Sequence, residues 1–335
     1  MKSEFYITGN IQPDVTVLIV NYNGLQFLDE CLTSVKTAFK RYSHEIVLVD
    51  NASSDSSQRF LRERTDIRYI ESSVNLGFTG GNNLAGRHAY GKVLLLLNND
   101  TRIEKNLDSL IDQAMSKQIG AAGSRLIYGD GRLQFSVGFH HRPLRLVLSW
   151  LGLEKIHQLP SIFRRIQTDP SFYEKTHAAV DWVSGACLAT RREIWDSLGG
   201  LDEAFFMYCE DVDYCLRVRN ASYRIVYNAE SLVTHYEGAG RTWIGQAALQ
   251  RTARSYAIYL EKHQSNLVSR IASLGLAAVF LMRSAAFAAI KISVKSSEKD
   301  RKQVITEKYY GYRLVAWQFT KQALFGVKKK LGERE

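Results

Sequence analysis

Proline and cysteine are both scarce in this chain of 335 residues, with four of each. Cys31, Cys187, Cys209 and Cys215 show no zinc-type pairing and no even framework of a small secreted chain. Reduced thiols in a cytoplasmic protein are therefore expected, and a metal cluster built on them is excluded. Long apolar runs are lacking too. The longest membrane-like stretch, 267–292, is interrupted by Arg270 and Arg283, which leave 12 uncharged residues between them. That is short of the roughly 20 needed to span a bilayer, so an interfacial or core helix is expected there. The opening "MKSEFYITGNIQPD" has no basic-then-apolar leader, and the chain is expected to stay where it is made. Two nucleotide signatures are missing as well. "NYNGLQ" after the first strand-like run lacks G-x-G-x-x-G, and Gly81 to Gly86 is followed by Arg87-His88 where a P-loop needs Lys-Ser/Thr.

What is present is a charge asymmetry and a regular alternation. The net charge of +10 belongs to the end of the chain: from Arg241 onward there are 18 Lys/Arg against 6 Asp/Glu, or +12, leaving 26 against 28, or −2, before it. Such asymmetry points to an anionic surface, membrane or nucleic acid. A nucleic-acid partner is the weaker reading, because no recognised module or aromatic-basic pattern supports it. Between residues 15 and 125, short apolar runs ("VTVLIVN", "EIVLVD", "IRYIE", "KVLLLLN" and, weakest, 119–126) alternate with helix-length amphipathic stretches such as 25–39 and 103–117. Near-continuous apolar strands separated by helices predict an α/β fold, a doubly wound and mostly parallel sheet covered on both faces. Residues 127–179 differ, carrying Gly129, Gly131, Pro143, Pro160 and Pro170 in a basic, aromatic stretch. An insertion of that length is usually mobile or functional. Strand-like runs resume at 180–190, 223–228 and 232–238, and after Gly240 the chain reads as helical and basic.

In open α/β sheets ligands bind beyond the carboxyl ends of the strands. Three successive strands here end in Asn21-Tyr22-Asn23-Gly24, Asp50-Asn51 through Asp55, and Asn98-Asn99-Asp100-Thr101. Singly, each reads as a turn or a helix cap; together they describe one polar edge. The loop 75–83 adds Gly77, Gly80 and Gly81, where a ligand can approach backbone closely. Asp100 suits a hard divalent cation shared with phosphate oxygens. His235 could add an imidazole, although a lone histidine is more often packed or on the surface. Residues 205–218, "FFMYCEDVDYCLRV", place Glu210, Asp211 and Asp213 within four positions. The positive end of a helix dipole explains one acid, and Asp213 has the favourable i,i+4 order with Arg217. The row Tyr208, Val212, Cys215, Leu216, Arg219 predicts the packed face of that helix. Asp211 and Asp213 should then point to different sides.

The ordered set "VTVLIVNYNG", "EIVLVDNASSD", "NLGFTGGNN", "LLLLNND", "DWVSGACLATRREIWDSLGGLDEAFFMYCEDVDYCLRV" and "THYEG" resembles the family 2 inverting glycosyltransferases, closest to the rhamnosyltransferase-like branch of bacterial surface polysaccharide synthesis. The resemblance implies a GT-A fold over residues 1–240, with 127–179 as a mobile or acceptor-side insertion and 241–335 as a basic helical membrane-associating extension. It implies sugar transfer from a nucleoside diphosphate donor (a dTDP- or UDP-sugar, rhamnose first) to a polyprenyl-linked or other glycan acceptor, with Mg²⁺ or Mn²⁺. Asp50 would contact the base or ribose, with Asn21 and Tyr22 in the same pocket. Asn75, Gly77 and Asn82 would surround the donor, and Trp182, Ser184 and Gly185 would wall the sugar. Asp100 would close the D-x-D position, where Asn98 replaces the first aspartate, with His235 as a second metal or diphosphate contact. Asp211 would be the general base with Glu210 beside it, and Arg191 and Arg192 would assist the leaving group. The location implied is cytoplasmic, peripheral on the inner face of the membrane. A catalytically silent nucleotide-sugar binder or scaffold of the same fold is the alternative, motivated by the missing first aspartate.

Overall fold

The computed structural model describes residues 12–153, 160–236, 245–294 and 299–326. Its first half alternates β1 (Val15–Asn21), α1 (Leu25–Ala38), β2 (His44–Asn51), α2 (Ser57–Arg62), β3 (Arg68–Ser72), α3 (Gly77–Arg87) and β4 (Val93–Asn98). The four strands pair in parallel in the order β3-β2-β1-β4. Their apolar residues alternate between two cores. Val17, Ile19, Leu48 and Leu95 pack with Leu28 and Leu32 of α1. Leu18, Val47, Val49 and Leu96 join Ala85 of α3 on the other face. Both faces are thus dry, which is why these strands lack polar alternation.

The sheet continues through β5 (Thr101–Lys105), then, after α4 (Leu107–Met115), β6 (Ile119–Ile127) and β7 (Leu133–Gln134). β8 (Val137–Gly138) and α5 (Pro143–Trp150) lie in the insertion, followed by β9 (Trp182–Val183), β10 (Cys187–Arg191), α6 (Arg192–Leu198), α7 (Glu210–Asn220) and β11 (Arg224–His235). The strand order is β3-β2-β1-β4-β10-β6-β11-β5, with β7 on β6 and a separate β8–β9 pair. β10 runs antiparallel to β4 and β6, β11 parallel to β6 and antiparallel to β5. The sheet is mostly parallel with antiparallel members, as expected for the fold class.

Several local expectations are revised. Residues 103–117 do not form one helix: Asn106 adopts φ 57° and separates β5 from α4. The weakest sequence strand, 119–126, is central, because its small residues admit neighbours; a Cβ on Gly123 would lie 2.5 Å from Val183. The runs 223–228 and 232–238 are one strand with a register shift between Asn228 and Leu232, and Glu237 and Gly238 lie outside the described residues. The run 180–190 is split in two by Ser184–Ala186. Gly80 and Gly81 sit inside α3 rather than in a ligand loop, since a Cβ on Gly81 would meet Val20 at 2.6 Å. Gly81 seats α3 on the sheet, while Gly80 admits Leu76 at the start of the helix. Tyr208 precedes α7 and Arg219 is exposed; the buried face is Val212, Asp213, Tyr214, Cys215 and Val218.

The end of the chain contributes α8 (Gly245–His263), α9 (Asn266–Ser293) and α10 (Lys299–Phe325), with α9 and α10 packed on each other and α5 against α9. The expectation that 267–292 is too short for a span is revised in one respect. α9 has 28 residues and is long and apolar enough, by length and composition, to cross a membrane. One side of it is nevertheless packed: Leu276 and Phe280 are fully buried. α8 is fastened to the sheet-bearing part of the chain by Ser255 Oγ donating to Met207 O (2.7 Å) and by Lys262 and His263, both 2.7 Å from Asp213.

Candidate active site

The parallel register brings the ends of β1, β2 and β4 level, with Asn21 opposite Asp50 and Val20 opposite Asn98. Beyond them opens a cleft of about 630 Å³. Its floor is a buried hydrogen-bond frame. Asn21 Nδ2 donates to Asp50 Oδ1 (3.0 Å) and Ser53 Oγ (3.1 Å), while its Oδ1 accepts from Asn99 Nδ2 (2.7 Å). Asp50 also accepts from Ser53 N and Gln58 Nε2. Asn21 and Asp50 are fully buried and do not line the cleft, so they support its wall rather than form it. Asn82 likewise stays out of the cleft and bonds Phe78 O within α3 (2.9 Å).

Tyr22, Asn75, Gly77, Asn98, Trp182 and Gly185 do border the cleft. Asn51, which the motif reading passed over, organises one wall: its Nδ2 donates to Asn75 Oδ1 (3.0 Å) and Gly77 O (2.9 Å), and its Oδ1 accepts from Leu76 N (2.8 Å). Gly77 is obligatory in that wall. Its φ is +72° and a Cβ would collide with Phe206 O. Trp182 donates from Nε1 to Phe139 O (3.1 Å) and so faces the cleft with its ring.

Asp100 and His235 meet on the same edge, because β11 ends beside β5 with His235 opposite Thr101. His235 Nε2 lies 3.3 Å from Asp100 Oδ1 and 3.0 Å from Asn98 Nδ2. With Gln134 Oε1 accepting from the ring's Nδ1–H (3.0 Å), Nε2 carries a lone pair facing a carboxylate. Two electron-rich atoms opposed at that distance fit a shared cation. Asn98 turns its Nδ2 to His235, and its Oδ1, buried without a hydrogen-bond partner, offers the same amide's oxygen as a third donor atom. Among the described residues no group of three His, Cys, Asp or Glu converges, so any ion here depends on such amide oxygens and on a ligand's own oxygens.

The acidic cluster enters from the opposite side. Tyr208 and Cys209, both at positive φ (71° and 67°), turn the chain sharply into α7. Asp211 then lines the cleft, its Oδ2 accepting from Gly185 N (3.1 Å) and its Oδ1 from Val212 N (2.8 Å). Glu210 also lines it and is 7% exposed, with Oε2 lacking a partner. Burial, and then the charge of Asp211, hold the Glu210 carboxyl well above the usual carboxylate range. Asp213 points away, as the two-residue spacing requires, and is fully buried between Arg217, Lys262 and His263. Arg191 and Arg192 are not in the cleft. They bond Lys117 O (3.1 Å) and Gly91 O (2.9 Å) respectively, near the start of β4, since Arg191 is opposite Val93. The cations that do line it, Arg165 and Arg251, come from the insertion and α8.

Comparison with known proteins agrees with this architecture. The Glycosyl transferase family 2 profile matches residues 16–194, and that of Glycosyl transferase family group 2 matches residues 158–318. The O-antigen biosynthesis protein RfbC of Myxococcus xanthus is 31% identical over 237 residues, 68% of this chain but 18% of RfbC. The N-acetylglucosaminyl-diphospho-decaprenol L-rhamnosyltransferase of Mycobacterium tuberculosis is 26% identical over 242 residues, 66% of this chain and 75% of that protein. The solved mannosyltransferase PcManGT of Pyrobaculum calidifontis, in complex with GDP-Man and Mn²⁺, superposes with a TM-score of 0.53 at 16% identity, covering 94% of this chain and 88% of that one. The sheet order, the polar strand-end cleft and a family profile spanning more than half of the chain lead to one conclusion: the protein belongs to glycosyl transferase family 2, with a GT-A fold, and is rhamnosyltransferase-like.

Proposed function

We propose that this chain transfers a hexose, rhamnose first, from a nucleoside diphosphate donor to a hydroxyl of a lipid-linked glycan, with inversion, in surface polysaccharide synthesis. The observation that carries the reading is that Asp211 and the Asp100–His235 pair border one cleft. Asn51, Asn75, Gly77 and Tyr22 form the nucleotide side, and Trp182 and Gly185 the sugar side. Asp211 takes the acceptor's proton as its oxygen attacks the anomeric carbon, and the bond to the diphosphate breaks with the electron pair leaving on that group. Asp211 accepts two backbone N–H bonds that fix its carboxylate in the cleft. Burial, and then the charge of Asp211, hold the Glu210 carboxyl well above the usual carboxylate range, which leaves the base role to Asp211. Asp100, His235 and the Asn98 amide oxygen would hold Mg²⁺ or Mn²⁺, which when bound supplies charge stabilisation to the departing diphosphate. The test is a panel of UDP-, dTDP- and GDP-sugars with an N-acetylglucosaminyl-diphospho-lipid acceptor, reading product and anomeric configuration by NMR. Transfer from none of them sinks the reading.

His235→Ala is expected to raise the Mn²⁺ concentration for half-maximal activity at least 10- to 100-fold, the range about which even indirect ligand partners cost. Full activity of wild type and variant alike in EDTA would remove the metal from the proposal.

The extension would place the enzyme on the cytoplasmic membrane face. Exposed apolar rows run along α9 (Leu267, Ile271, Leu274, Leu281) and α10 (Tyr310, Leu314, Trp317, Leu324). Lys321 sits 4.8 Å from the Trp317 ring centre, an interfacial pairing of aromatic body and charged head. With a +12 tail, each basic residue near an anionic leaflet adds about 1 kcal/mol. Sedimentation with phosphatidylglycerol vesicles at low salt is expected, weakening as salt rises. Protein left in the supernatant at low salt would contradict it.

A further inference from the structure

We propose that Arg165 and Arg251 form a diphosphate subsite for the acceptor, gripping the phosphates that join its glycan to a prenyl-type chain. The proposal rests on the lipid-linked transfer reading above and adds where the lipid's anionic head is held.

Arg165 and Arg251 are the two Lys/Arg side chains that line the cleft among the described residues. Neither comes from the strand ends that carry Asp100 and His235. Arg165 belongs to the insertion, where its carbonyl accepts from Phe139 N (2.9 Å) and its Nε bonds Ser149 Oγ of α5 (3.4 Å). Its guanidinium lies 5.9 Å from the ring centre of Tyr256 on α8. Arg251, one α8 turn before Ser255, places its guanidinium 5.6 Å from the Phe206 ring centre. Both planar forks are therefore laid against aromatic rings, which limits their freedom before a ligand arrives. Two guanidinia at one cleft wall match a diphosphate, whose oxygens accept paired N–H bonds.

The apolar surroundings indicate which diphosphate. Trp150, at the end of α5, lines the same cleft and packs its ring on Phe280 of α9 at 4.7 Å. Arg283 of α9 donates to Trp150 O (2.8 Å), fixing that junction. Leu151, next to Trp150, is exposed. A ligand with its phosphates at the arginines can thus lay a hydrocarbon chain over Trp150 and Leu151 at the end of α5. A nucleoside diphosphate has no such chain and meets its own polar partners at the strand ends.

The test measures binding, not transfer, by quenching of tryptophan fluorescence, with farnesyl diphosphate and farnesol as probes in the absence of donor and metal, and dTDP as a probe in the presence of Mn²⁺. Wild type is expected to bind farnesyl diphosphate about 10-fold or more tightly than farnesol, the scale of a charge-assisted hydrogen bond. Arg165→Gln and Arg251→Gln should each remove most of that preference, Arg→Lys should restore part of it, and dTDP binding in the presence of Mn²⁺ should not change. Equal binding of diphosphate and alcohol by wild type overturns the proposal whatever the variants do to folding. A loss that falls on dTDP overturns it too and assigns the arginines to the donor. Since no transfer is measured, an inactive protein leaves this result standing, and failure here leaves the transfer reading standing.

Discussion

Asp211→Asn is expected to lower kcat by about 10²–10⁴-fold, the range that a positioned general base contributes, while donor affinity stays unchanged. The substitution removes the basic oxygen but keeps the side-chain shape, and the donor wall is held by the bonds of Asn51 to Asn75, Leu76 and Gly77. One local cost follows: the amide can accept from only one of the two backbone N–H groups, Gly185 or Val212, that now serve the carboxylate. Glu210→Gln provides the internal control. Its carboxyl is buried and held well above the usual carboxylate range, so a neutral amide of the same shape disturbs it less than it would an ordinary carboxylate. Its effect on kcat should be much smaller. A larger loss in Glu210→Gln than in Asp211→Asn, read in the same steady-state assay, would exchange the two roles.

Asp213→Ala is expected to cost on the order of 3 kcal/mol of stability, because removing one member of a buried ion cluster strands the others. Arg217 and His263 are largely shielded, and Lys262 is left with Asp202 (2.5 Å) and the Phe205 ring among the described residues. In a chain of this size the melting temperature should fall by several degrees. The loss should also spread, since Asp213 fastens α8 to α7 and Ser255 of α8 braces Met207, immediately before the turn that aims Asp211. The pH dependence has a definite sign. Burial would raise the Asp213 carboxyl, but hydrogen bonds from His263 and Lys262 and the charge of Arg217 outweigh it and bring it down to about 2. A depressed carboxylate stabilises fully above its ordinary value of 3.8 and loses that contribution as pH falls through about 2. Wild type should therefore lose part of its acid stability over that window, and Asp213→Ala should lack that component. Acid unfolding curves that coincide for the two proteins would show that the cluster is not holding α8.

Which parts of this were readable from sequence follows from how local each signal is. β1, β2 and β4 were legible because both of their faces are buried, and burial on two faces writes an unbroken apolar run. β5 was missed because five residues of which only Thr101 and Ile103 are buried, between Asn98-Asn99-Asp100 and a helix, carry no such signature. The strand-end asparagines pointed to the correct edge, but sequence could not divide them into floor and wall. Asn21 and Asp50 sink into the frame because Ser53 and Asn99 offer them partners, whereas Asn51 turns up to organise Asn75 and Gly77. Gly80 and Gly81 looked like ligand-approach glycines and instead admit Val20 and Leu76. The salt bridge of Asp213 with Arg217 was legible at i,i+4. Its burial was not, because Lys262 and His263 lie some 50 residues later. Arg165 and Arg251 were unreadable for the same reason, each being one arginine in a basic segment until the fold brings both to one cleft.

The most direct measurement is a single-turnover reaction of purified wild type and Asp211→Asn with the productive nucleotide sugar, Mn²⁺ and a lipid-linked N-acetylglucosaminyl acceptor. Donor binding and the anomeric configuration of the product are read together. Expected is an inverted glycoside from wild type, and bound donor without product from Asp211→Asn. A product of retained configuration, or equal turnover by the two proteins, would contradict a cleft in which Asp211 is the base opposite a diphosphate held at Asp100 and His235.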